Sequence, residues 1–160
     1  MRLINPSPGD LIDRLTILDL KISAANRKCK SSEHFQAEKE VLRERLQSYE
    51  ETLKEEYLLK SNLLPDRMAE IAQHRNGLAA INALLWKAED DVRATPSTSA
   101  FKLASLCKHI ASLNDERSKE MNILSKLYGM EETTEEKLYN TERKSEKPLR
   151  MVSDLELGEA

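Results

Sequence analysis

Glycine is scarce in this chain of 160 residues, with only 4, and proline is hardly commoner at 5. Sheets need many tight reversals, so so few turn formers point to long helices. Aromatic side chains are 4% of the total, with Trp86 the one tryptophan. Cysteine occurs only at 29 and 107, without CxxC spacing. That spacing suits two reduced thiols in a cytoplasmic protein, and Cys107 is expected to pack as a small apolar residue. No apolar run approaches the ~18 residues of a membrane span, and the opening MRLINPSPGD has no signal-type apolar stretch. Neither sign of charge dominates: 25 basic residues stand against 28 acidic ones, a net charge of -3. Nucleic acid and anionic membranes are therefore disfavoured as partners of the whole surface, while a local basic pocket stays open.

What the chain does have is charge, at 33%, interleaved with a hydrophobic 39%. The length suits one domain with a sizeable core. Ser7-Pro8-Gly9-Asp10 reads as a helix start: serine caps, proline takes the first position, and Asp10 bonds back. A first helix is expected from Pro8 to Arg27. A second begins near Glu33, with Leu42, Leu46, Tyr49, Leu53 and Tyr57 forming a narrow apolar seam. Pro65 should break it. A third spans roughly Asp66 to Arg93, with Gly77 as a weak point or a close-packing site. ATPSTS restarts the chain, Thr95 capping and Pro96 in the first turn, for a fourth helix from Ser97 to Tyr128 that Gly129 ends. The expected fold is all-α, a bundle of about four principal helices with a long helical hairpin. Residues 1–130 form the bundle domain, and the polar segment 131–160 is read as a mobile tail or partner-ordered arm.

A step of about 100° per residue places the polar residues. On the first helix Leu11, Leu15, Leu18 and Ile22 share a face; Asp19 falls within it and Thr16 at its margin. Asp13 sits between Ile17 and Leu20 on a second apolar face, so this helix should be central. On the third, Ile81, Leu85, Ala88 and Val92 form an apolar stripe, flanked by Asn82, Trp86, Glu89 and Arg93 along one edge. The fourth carries Arg117 at the centre of its apolar face, with Asn114 beside it. An unpaired buried charge costs several kcal/mol, so the expectation is that Asp19, Thr16, Asn82, Trp86, Glu89, Arg93, Asn114 and Arg117 meet between helices.

The segments GDLIDRLTILDLKI, NALLWKAEDDVR and NDER resemble a family of small helical proteins of bacteria and their phages. Members read approximately G-E-x-x-D-K-L-T-I, N-x-x-L-W-x-x-E-D and N-D-x-R, and some adjoin glycosyltransferase or surface-polysaccharide proteins. Here Asp10 and Arg14 depart mildly from that pattern. The likeness covers three helices, and it implies a helical fold and a set of motif residues without an established activity.

Three functions fit the residues. The leading one is non-catalytic binding, or sequestration, of a small phosphorylated, nucleotide-like ligand. Arg93 and Arg117 would grip the anion, Asn82 and Asn114 would read an edge, and Trp86 would stack. The second is a structural or adaptor protein whose buried polar network only fixes the fold. The third, a magnesium-dependent helical nucleotide phosphohydrolase, needs facing carboxylate pairs. Only Asp10/Asp13 and Glu132/Glu135 have the spacing, and Asp10 is better used as a cap. His34, His74 and His109 are expected at the surface, with no metal-ligand spacing. No phosphate-binding glycine motif or hydrolase constellation is present. The balance is against an enzyme, with no catalytic residue, metal or cofactor assigned. The second helix's seam could pair with a copy of itself but is expected rather to pack within the bundle, while a long hairpin projecting from the core makes a homo-oligomer the expected assembly.

Overall fold

The computed structural model describes residues 5–58 and 64–130. These form an all-α protein of four helices: α1 (Pro8–Arg27), α2 (Glu33–Leu58), α3 (Leu64–Ala94) and α4 (Ala100–Leu127). The expected tail at 131–160 lies outside the described residues. None of the described helices is long and apolar enough to cross a membrane.

The chain reverses twice within short loops, giving an α1–α2 hairpin and a longer α3–α4 hairpin. At ~1.5 Å per residue α3 is about 46 Å long and α1 about 30 Å. One continuous core joins the hairpins at one end. It is built from Leu11, Ile12, Leu15 and Leu18 of α1, the α2 seam Leu42, Leu46 and Leu53, Ile71 and Leu78 of α3, and Leu124, Leu127 and Tyr128 near the end of α4. The α2 seam is thus consumed inside the bundle. α1 packs against all three other helices, which explains why it is apolar on most of its circumference.

The start of α1 follows the capping logic of SPGD. Asp10 N–H donates to Ser7 Oγ at 3.1 Å, and Ser7 N–H donates to Asp10 at 3.2 Å. Gly9 has a further task, because its N–H donates across the bundle to Ser125 Oγ at 3.0 Å. A Cβ built on Gly9 would stand 2.1 Å from the Met121 carbonyl oxygen. Only a hydrogen fits between α1 and the α4 backbone there. Gly129, at φ +89°, ends α4, and the Met130 N–H returns to the Ser125 carbonyl at 3.0 Å.

Several boundaries differ from expectation. α3 begins at Leu64, so Pro65 sits in its first turn rather than only terminating α2. α4 begins at Ala100, and Thr95 does not cap it. The buried Thr95 hydroxyl instead donates to the Asp91 carbonyl at 2.6 Å, closing the end of α3 and leaving Pro96 in the turn. Cys107 is exposed rather than packed. His34 and His109 are exposed as expected, but His74 is half-buried, with Nδ1 2.6 Å from Glu120 Oε2 on α4.

Tyr128 gives a first expected outcome. It is buried against α2, with its hydroxyl 3.4 Å from Glu50 Oε1. Burial first, then the Glu50 charge, pushes its pKa from 10.0 up to about 12. The folded state therefore holds the proton more tightly, and this stabilisation is full below pH 10 and lost as pH rises towards about 12. Wild-type melting temperature should fall across that window, and Tyr128→Phe should flatten the fall; parallel curves would contradict the assignment.

Candidate functional site

Above the shared core, a polar layer crosses the bundle. Asp13 lies one turn beyond Gly9 on α1, and its side chain is only 5% exposed. Arg117 of α4 grips it in two-pronged fashion: Nε donates to Oδ1 at 2.8 Å, and Nη2 donates to Oδ2. Asn82 of α3 adds an amide donor to the same Oδ1 at 2.9 Å and reaches Thr16 Oγ1 at 2.7 Å. The Thr16 hydroxyl in turn donates a hydrogen bond to the Asp13 backbone carbonyl at 2.8 Å. Three helices are thereby tied at one height.

The local sequence explains the convergence. Asp13 and Thr16 are three apart and share a helical side, Arg117 sits within the apolar stripe of α4, and Asn82, beside the expected stripe of α3, is buried along with Leu78 and Leu85. The Arg117 side chain is 31% exposed, so it is partly solvated while its Nε and Nη2 are spent on Asp13. Its pKa is raised above the ordinary arginine value, first by the Asp13 hydrogen bond, against a desolvation penalty, and then by the Asp13 and Glu89 charges. Among the described residues every buried side-chain nitrogen or oxygen has a hydrogen-bond partner.

The expected eight-residue cluster is therefore met in part. Thr16, Asn82 and Arg117 come together. Asp19 does not join them: it is 57% exposed and pairs with Lys39 of α2. Asp19 lies on the edge of the α1 stripe that packs on α2, so the acid rotates outward to that helix's lysine. Arg93 is exposed and pairs with Asp90 on its own helix, which raises its pKa through their hydrogen bond. Asn114 is exposed. Glu89 is exposed too and reaches the layer only through its field on Arg117. Trp86 is half-buried. The residue that organises the layer is Asp13, which the wheel placed on the minor apolar face. Its signal was the fit to Arg117: each is a charge centred among apolar residues, on helices that had to pack.

Exposed ion pairs contribute little, so Asp19→Ala should change stability by less than about 0.5 kcal/mol in urea denaturation. A larger loss would mean that the α1–α2 hairpin depends on the Lys39 contact.

The arrangement offers no assembled metal centre: among the described residues no group of three or more histidine, cysteine or acidic side chains is placed to hold an ion. Asp10 is engaged with Ser7 and Asp13 with Arg117, so that carboxylate pair is already used. The Glu132/Glu135 pair lies outside the described residues. Two open clefts lie elsewhere. One is beside Ile22, Gln36 and Lys39, and the other is between α2 and Arg75, lined also by Arg43, Glu50, Glu51 and Lys54. No family model matches the chain, and neither the curated proteins nor the solved structures give a match.

Proposed function

We propose that the chain is a non-catalytic helical interaction module, and that Asp13, Thr16, Asn82 and Arg117 form a structural lock rather than a ligand site. The observation that carries this reading is the completeness of the network. Asp13 accepts from Arg117 twice and from Asn82, and no buried polar atom among the described residues waits for a partner. A ligand phosphate would have to compete with a carboxylate already held in two-pronged geometry. The field of Glu89 beside Arg117 opposes an anion further. A network satisfied on three helices fixes their register, because any slip by one turn leaves a buried charge unpaired.

A nucleotide-like ligand is the second reading, favoured by the partly solvated side chain of Arg117 and the half-buried Trp86 on the neighbouring helix. Thermal denaturation against a panel of nucleotides and nucleotide sugars separates the two. The lock leaves the wild-type melting temperature unchanged by every compound. A rise that scales with ligand concentration and vanishes in Arg117→Gln would replace the lock with a binding site.

A further inference from the structure

No further inference is drawn: the strongest candidate, the apolar surface on the outer half of the α3–α4 hairpin, where Leu103, Leu106 and Ile110 are half-buried and Phe101 near the tip is 96% exposed, is an unpartnered face, and nothing in the structure shows what covers it.

Discussion

Replacing Gly9 with alanine is expected to destabilise the protein by about 3 kcal/mol and lower its melting temperature by roughly 10 °C. The sign is the informative part. Inside an ordinary helix the same change stabilises by up to about 1 kcal/mol, because alanine loses less entropy. At position 9 the new Cβ would meet the Met121 carbonyl oxygen at 2.1 Å and Ser125 Oγ at 2.7 Å. The first obstacle is backbone and cannot rotate away. α1 must retreat from α4, stretching the Gly9–Ser125 hydrogen bond and shifting the Asp13 layer one turn along. Gly77 supplies the contrast. A Cβ there meets only the Glu120 side chain, at 3.6 Å or more, so Gly77→Ala should stabilise by about 0.5–1 kcal/mol. Urea titration of both variants checks the pair. A stabilised Gly9→Ala would mean that the two helices sit farther apart than described.

Breaking the polar layer should cost about as much, and unequally from its two sides. Arg117→Ala strands a carboxylate that is only 5% exposed, with Asn82 its remaining donor. Removing one member of a buried pair costs about 3–5 kcal/mol, and the solvent reaching Arg117 argues for the lower end. Asp13→Leu leaves the Arg117 side chain, 31% exposed, free to turn towards water, so a loss nearer 2 kcal/mol is expected. The double change Asp13→Leu/Arg117→Met removes both charges and should recover most of the stability. Asn82 would still lack one acceptor while keeping Thr16. A double variant as unstable as the sum of the singles would show that the two residues are not coupled.

Most of the fold was legible in the sequence. The SPGD start, the α2 seam and the Gly129 stop each depend on local chemistry, and each stands where capping rules and helical period put it. The restart at ATPSTS was less legible. Thr95 can serve as the first cap of one helix or the last bond of the preceding one, and only the packed chain chooses. The site divided along the same line. Arg117 was readable because a charge centred on an apolar stripe must find a partner, whereas Asn82 was placed on the edge beside its stripe. Choosing between Asp13 and Asp19 required knowing which side of α1 faces α2 and which faces α3 and α4. A wheel shows that two faces exist without saying what covers each. Arg93 and Glu89 share an edge with Asn82, but they are exposed, beyond the buried layer, where spacing alone cannot report burial.

The most direct test of the structural lock is native mass spectrometry of the full chain, purified without added ligand and sprayed intact. The lock predicts masses equal to the polypeptide or to whole multiples of it, identical in adduct pattern between wild type and Arg117→Gln. A phosphorylated small molecule retained at one equivalent per chain by wild type, and absent from the variant, would contradict it and make Arg117 part of a ligand site.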